Sequence, residues 1–161
     1  MKHQGDAYQF LEKLDPDQRF TFQTFADGDS KNLNLARVFH GSLEKNLPEL
    51  ERANQSGAGI FITVNETDLR GRKTENVVGV WAVFVDLDGA PLKPVRDFEL
   101  SPQIIVESSP NRWHAYWLCE DLPLDEFSKI QKNIATLFDG DPVISDWPRV
   151  MRIPGFEHRK R

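Results

Sequence analysis

The sequence predicts an α+β domain, a mainly antiparallel sheet with helices packed against it. Three observations lead there. Short apolar or alternating segments recur at residues 19–25, 60–64, 77–85, 103–107, 113–118 and 150–153, each of strand length. Two of them, 103–107 and 113–118, are joined by Ser108-Ser109-Pro110-Asn111-Arg112, a turn-forming stretch that makes antiparallel neighbours. Helix-period segments fall at irregular intervals, so no βαβ rhythm, internal repeat or linker divides the 161 residues, and residues 1–161 read as one domain.

Asp6 is expected to cap a short helix carrying Tyr8, Phe10, Leu11 and Leu14, which Asp15-Pro16 stops. Residues 19–25 alternate polar and aromatic side chains, as a strand with one buried face does, and Asp27-Gly28-Asp29 supplies a turn. A helix follows Ser42 toward Ala53, with Pro48 as an irregularity that splits it or marks its start. Gly57-Ala58-Gly59 breaks it ahead of a buried strand at 60–64. A polar loop, 65–76, leads to a second apolar strand predicted as one piece over 77–85. After the hairpin, Asp125 caps a helix bearing Phe127, Ile130, Ile134, Leu137 and Phe138, and Gly140 closes it. Residues 150–153 complete the sheet.

Composition narrows the function. With 39% hydrophobic and 11% aromatic residues the chain has material for a sizeable core. The single Cys119 forms neither an internal disulfide nor a Cys-rich zinc site. No signal-peptide pattern opens the chain and no apolar run approaches about 20 residues, so a soluble cytoplasmic protein without membrane attachment is expected. A net charge of −5 excludes coating of nucleic acid by general basicity, and any DNA contact must be local. Basic residues cluster at Arg70, Arg72 and Lys73, and again at Arg149, Arg152, Arg159, Lys160 and Arg161. Such clusters fit local phosphate contacts, against the plainer reading of solvated surface, and for the terminal Arg159-Lys160-Arg161 the two readings stand level.

The most informative segment runs Ala82-Val83-Phe84-Val85-Asp86-Leu87-Asp88-Gly89. An apolar strand running into Asp-x-Asp sets two carboxylates on one face, where their repulsion is relieved by a cation, and hard oxygen ligands suit Mg²⁺ or Mn²⁺. Asp88 alone reads as a turn residue before Gly89-Ala90-Pro91; Asp86, emerging directly from Val83-Phe84-Val85, needs a partner. Ser108, Ser109, Asn111, Arg112 and His114 then place hydroxyls, a cation and an imidazole near one sheet end, as phosphate binding requires. Asp141 and Asp146 add further acids, and Arg152 inside a short apolar strand must meet an anion.

Taken in order, Asp86-Leu87-Asp88-Gly89, Glu107-Ser108-Ser109-Pro110 leading to His114, and Arg149-Val150-Met151-Arg152-Ile153-Pro154-Gly155-Phe156 ahead of Lys160 resemble the RepB-like primases of the archaeo-eukaryotic primase-polymerase superfamily. The resemblance runs from Gly57 to the C-terminus. It implies an RRM-like sheet fused to a smaller αβ unit. It also implies DNA-templated nucleotidyl transfer, primer synthesis or extension, from nucleoside triphosphates on single-stranded DNA by two Mg²⁺ or Mn²⁺ ions. The metal role falls to Asp86, Asp88 and either Asp141 or Asp146, with Asp141 preferred. Nucleotide binding falls to Ser108 or Ser109, Asn111, Arg112, His114 and Arg152, and DNA contact to Arg70, Arg72 and Lys73. Relatives carry a helical or helicase region afterwards, so the chain is expected to be the N-terminal part of a longer plasmid or phage replication protein, and the serine–histidine spacing here is longer than in many of them.

Two rival readings stand beside it. Val83 to Gly89 also resembles the nucleophile motif of haloacid-dehalogenase-type phosphatases, although Ala90 departs from that motif and the parallel βαβ pattern is missing. A catalytically inactive single-stranded-DNA-binding replication-initiation module would use Trp113, Tyr116 or Trp117 to stack bases.

Overall fold

The computed structural model describes residues 4–28 and 31–158. Asp29 of the expected turn and the basic Arg159, Lys160 and Arg161 lie outside the described residues. In chain order the elements are α1 (Gln4–Leu14), β1 (Phe20–Ala26), β2 (Arg37–Gly41), α2 (Leu43–Gln55), β3 (Ala58–Thr63), β4 (Glu66–Thr67), β5 (Val77–Gly79), β6 (Ala82–Asp86), α3 (Lys93–Arg96), β7 (Ile104–Ser109), β8 (Arg112–Leu118), α4 (Leu124–Phe138) and β9 (Val150–Arg152). Among the described residues no helix is long and apolar enough to cross a membrane.

α1 buries Ala7, Phe10, Leu11 and Leu14, the stripe its spacing predicts, and Asp6 lies inside its first turn rather than at the cap. Asp15 then takes the amides of Asp17 and Arg19 and turns the chain into β1. α2 starts on Ser42, whose hydroxyl accepts the Lys45 amide, and Pro48 is accommodated within it without ending it.

The strands form two antiparallel sheets and a short ladder. The first sheet has the order β2-β1-β3-β9, the second β6-β8-β7, and β4 pairs with β5. The expected single strand over 77–85 is therefore two strands in different pairings. Val77 and Gly79 pair with Thr67 and Glu66, after which Ala82 begins a ladder with Leu118. An unbroken apolar run carries no mark of where its hydrogen-bond partner changes. β1 also departs from one-sided burial: Thr21 and Gln23 are buried as well as Phe20 and Phe22. Its polar face is covered, with the Thr21 hydroxyl 2.6 Å from that of Thr67 and 3.0 Å from His40 Nδ1.

The main core lies between the two sheets and joins α1 to both. Phe10 meets Tyr116 edge-on, Phe20 meets Trp81, and Phe84 packs on Tyr116 and Phe127. A second cluster on the opposite face of β6 and β8 holds Val85, Leu87, Val95, Ala115 and Phe138. α4 buries Phe127 in the main core and Phe138 in the second cluster, with Gln131 and Ala135 also buried, whereas Leu137, expected on the apolar face, is 57% exposed. Its C-cap is Asp139 at φ 55°, not Gly140.

Candidate active site

β6 ends at Asp86, which lies directly across from His114 of the central strand β8, so both side chains stand on the same face. His114 Nε2 is 3.7 Å from Asp86 Oδ1. The strand stops there because the following residues turn: Ala90 N–H donates to the Leu87 carbonyl, with Asp88 at φ 43° and Gly89 at φ 95°. The Asp88 amide donates to Asp86 Oδ1 at 3.0 Å, and the Asp88 carboxylate pairs with Arg112. Strand alternation put Asp86 and Asp88 side by side on one face. The left-handed turn instead swings Asp88 to the rim, where it adjoins Asp139, Gly140 and Asp141.

Asp141 is brought to the same sheet end by Gly140. A Cβ on Gly140 would lie 2.4 Å from Val85 Cγ2 and 3.0 Å from the Asp86 carbonyl oxygen, so only glycine allows the segment after α4 to press against β6. The Asp141 amide then donates to the Asp86 carbonyl at 2.8 Å. Asp146, the other candidate for the third acid, is held instead by Arg149, with Nε 2.6 Å from Oδ1. Gly140→Ala is expected to destabilise the fold by about 1–3 kcal/mol through overpacking against Val85. Differential scanning calorimetry checks this as a fall of several degrees in Tm; an unchanged Tm would mean the turn relaxes freely.

A cleft of about 730 Å³ opens between the two sheets. Phe61, Val150, Met151 and Arg152 line it from the first sheet, and Asp86, Ser108, Ser109, Arg112 and His114 from the second. Ser108 sits at a β-bulge between the Glu107–Trp113 and Ser109–Arg112 pairs, its hydroxyl donating to the Arg112 carbonyl at 3.2 Å. Ser109 lines the cleft beside it. Asn111, at φ 62° on the hairpin tip with its amide held by Glu107, does not line the cleft. Burial pushes the His114 imidazole below its ordinary pKa, with Asp86 opposing and Arg152 reinforcing the shift, so the ring is neutral at pH 7. It therefore offers a hydrogen bond rather than a charge.

Arg152 meets the anion its burial demanded, and that anion is Asp27. Nη1 and Nη2 each donate to one carboxylate oxygen at 2.9 Å, and the guanidinium lies 4.7 Å over the Phe61 ring. Asp27, read from the sequence as a turn residue, is 125 positions away, and no spacing connects the two. Phe61 and His158 also line the cleft without a motif to announce them.

Arg70, Arg72 and Lys73 lie outside the cleft, around a shallow surface depression with Val38, His40 and Pro148. Arg72 stacks 5.9 Å over Phe25, and Phe25 meets Phe61 edge-on at 5.6 Å, so an aromatic pair connects this basic loop to the cleft wall. Of the aromatics considered for base stacking, Tyr116 is fully buried, while Trp117, stacked on Phe138, and Trp113, packed on the second cluster, are partly buried. The antiparallel pairing of β6 with β8 likewise removes the haloacid-dehalogenase reading, which needs a parallel sheet.

Among the described residues no group of three or more His, Cys, Asp or Glu side chains is gathered closely enough to hold a metal ion. The donors around the end of β6 are nevertheless the hard carboxylate oxygens of Asp86, Asp88 and Asp141, and that chemistry fits Mg²⁺ or Mn²⁺.

Residues 32–161 match a family model described as the RepB DNA-primase N-terminal domain. The chain is 26% identical over 117 residues to Mobilization protein A of Escherichia coli, an alignment covering 72% of this chain and 15% of that protein, so the chain spans far less than two thirds of that relative. The primase-polymerase domain of cyanophage S-2L superposes with a TM-score of 0.75 at 18% identity, over 96% of this chain and 83% of that one. The catalytic domain of primase RepB′, solved in complex with initiator DNA, superposes with a TM-score of 0.70 at 23% identity, over 95% and 77%.

Proposed function

The chain belongs to the RepB primase family and has the fold of archaeo-eukaryotic primase-polymerase domains, and from that premise we propose that it joins nucleoside triphosphates on a single-stranded DNA template. One observation carries the reading: a single cleft between two sheets collects Asp86, Ser109, Arg112, His114 and Arg152, from four different strands. An acid, a hydroxyl, two guanidiniums and an imidazole facing one space suit a metal-bound triphosphate.

Asp86, Asp88 and Asp141 would hold Mg²⁺ or Mn²⁺, which when bound supplies Lewis-acid activation of the attacking hydroxyl and charge neutralisation of the pyrophosphate. The residues themselves position and neutralise. Ser109 and the neutral His114 offer hydrogen bonds to phosphate oxygens, and Arg112 and Arg152 offer charge-assisted ones. Arg112 is shared with Asp88 and so couples the acid at the rim to the nucleotide. Ser108 serves the bulge that turns Ser109 into the cleft. A helicase region or partner would supply opened template.

The test is incorporation of labelled nucleotide on single-stranded DNA with Mg²⁺ or Mn²⁺, with and without a primer. Metal-dependent product that disappears in Asp86→Ala/Asp88→Ala is expected, and product without primer adds priming to extension. Absence of product from a chain that binds nucleotide tightly would favour a binding module.

The template is proposed to leave the cleft past Phe61 and Phe25 toward Arg70, Arg72 and Lys73. Replacing those three with alanine is expected to flatten the salt dependence of single-strand affinity by about 2 in log–log slope, from roughly 0.7 per phosphate contact. Fluorescence anisotropy across a salt series measures it. An unchanged slope would place the DNA elsewhere.

A further inference from the structure

Arg152 stands on the edge strand β9, yet its guanidinium reaches across β3 to the end of β1. It can do so because the position beneath it is Gly59. A Cβ there would lie 2.7 Å from Arg152 Nη1, 2.9 Å from Asp27 Oδ1 and 2.9 Å from Phe61 Cε2. Glycine thus leaves a slot in the face of the sheet, floored by backbone and walled by Phe61, into which the guanidinium lies flat. The pair is withdrawn from solvent, with the Arg152 side chain 14% and the Asp27 side chain 6% exposed. Two N–H groups are bound by the Asp27 carboxylate, and the Arg152 side chain lines the cleft.

We propose that Asp27 is a positioning residue for the nucleotide site, holding the Arg152 guanidinium in the Gly59 slot so that its outer N–H groups meet the β- and γ-phosphates of a nucleoside triphosphate. The proposal rests on the reading of Arg152 as a phosphate ligand. Asp27 itself precedes residues 32–161, the stretch that the family match covers. The physical effect is pre-organisation. A free arginine loses side-chain freedom when it grips a phosphate, whereas one already forked to a buried carboxylate and laid on an aromatic ring loses little more. The opposite role, a carboxylate that competes with phosphate for the arginine, predicts tighter rather than weaker ATP binding when the Asp27 charge is removed.

The experiment is calorimetric titration with ATP and with AMP, in Mg²⁺ and without template, on the wild-type chain, Asp27→Asn, Gly59→Ala, Arg152→Ala and the Asp27→Asn/Arg152→Ala double variant. Asp27→Asn and Gly59→Ala are each expected to weaken ATP by roughly fivefold, the equivalent of one side chain that must now be immobilised on binding. AMP affinity stays unchanged, and Asp27→Asn adds nothing once Arg152 is gone. Gly59→Ala keeps both charges and presses on the Arg152 and Asp27 side chains and the Phe61 ring, and with thermal melting recorded alongside it carries the test if Asp27→Asn does not fold.

Unchanged ATP binding in both Asp27→Asn and Gly59→Ala, with a loss in Arg152→Ala, overturns the proposal and leaves Arg152 as a ligand. No loss in Arg152→Ala overturns the underlying reading as well. Equal losses for ATP and AMP, or a further loss on the Arg152→Ala background, make Asp27 merely structural. Tighter ATP binding by Asp27→Asn makes it a competitor; each of these outcomes also overturns the proposal.

Discussion

Asp86→Asn is expected to lower templated nucleotide incorporation by about a thousandfold, close to 4 kcal/mol in the activation barrier, as removal of a charge at the reacting centre does elsewhere. The substitution is nearly isosteric, and an amide oxygen can still accept the Asp88 amide that bonds Asp86 Oδ1 at 3.0 Å. The turn after β6 therefore stays, and only the negative charge facing His114 and the cleft is lost. Thermal melting should match the wild-type protein, which separates a lost site from a lost fold. Asp141→Asn should also impair incorporation strongly, because it removes a carboxylate proposed to hold the metal, on a residue whose amide donates to the Asp86 carbonyl at 2.8 Å. Asp146→Asn should not, since Asp146 is tied to Arg149 rather than to Asp86. An Asp86→Asn chain retaining more than a tenth of the activity would remove Asp86 from the centre of the reaction, and a large loss in Asp146→Asn alone would reverse the assignment of the third acid.

The largest effect on stability is expected at Gln131. β6 is an edge strand of its sheet, and α4 covers that edge, so the outward peptide groups of β6 are shut off from water. The Gln131 side chain takes the place of a missing neighbour strand. Its Oε1 accepts the Phe84 amide at 2.8 Å, and its Nε2 donates to the carbonyls of Phe84 at 3.0 Å and Ile144 at 3.2 Å. The residue is 1% exposed. Gln131→Leu preserves volume but leaves a buried N–H and two carbonyls unpaired, at about 1–3 kcal/mol for each group that finds no other partner. A total of about 3–5 kcal/mol, or roughly 10 °C in Tm for a domain of this size, is expected. Gln131→Glu should not rescue it, because a carboxylate cannot donate to either carbonyl and its charge would be buried. Urea and thermal denaturation measure both variants; a loss below about 1 kcal/mol in Gln131→Leu would mean that water reaches the edge of β6.

Gln131 also marks the limit of what periodicity can reveal. Its place on the buried stripe of α4, between Phe127 and Ala135, follows from helical spacing. What it binds does not, because Phe84 is 47 residues away. The same division runs through the strands. β1, β3, β7 and β8 were legible because their alternation or apolar continuity is a property of a few consecutive residues. β2 carries no such local pattern: Arg37–Gly41 is half exposed and takes its strand form from pairing with β1.

Within the site, local chemistry was likewise readable and geometry was not. The sequence by itself determined the α+β class, the acid at the end of an apolar strand, the hydroxyl and imidazole on one hairpin, and an arginine that required an anion. Each is a consequence of neighbouring side chains and of the cost of burying charge. The tertiary structure decided that Asp88 leaves the strand face, that Gly140 seats Asp141 beside Asp86, and that Asp27 is the partner of Arg152. Those outcomes depend on positive φ angles, on a Cβ-sized gap, and on a contact across 125 residues, and each arises only when distant segments pack together.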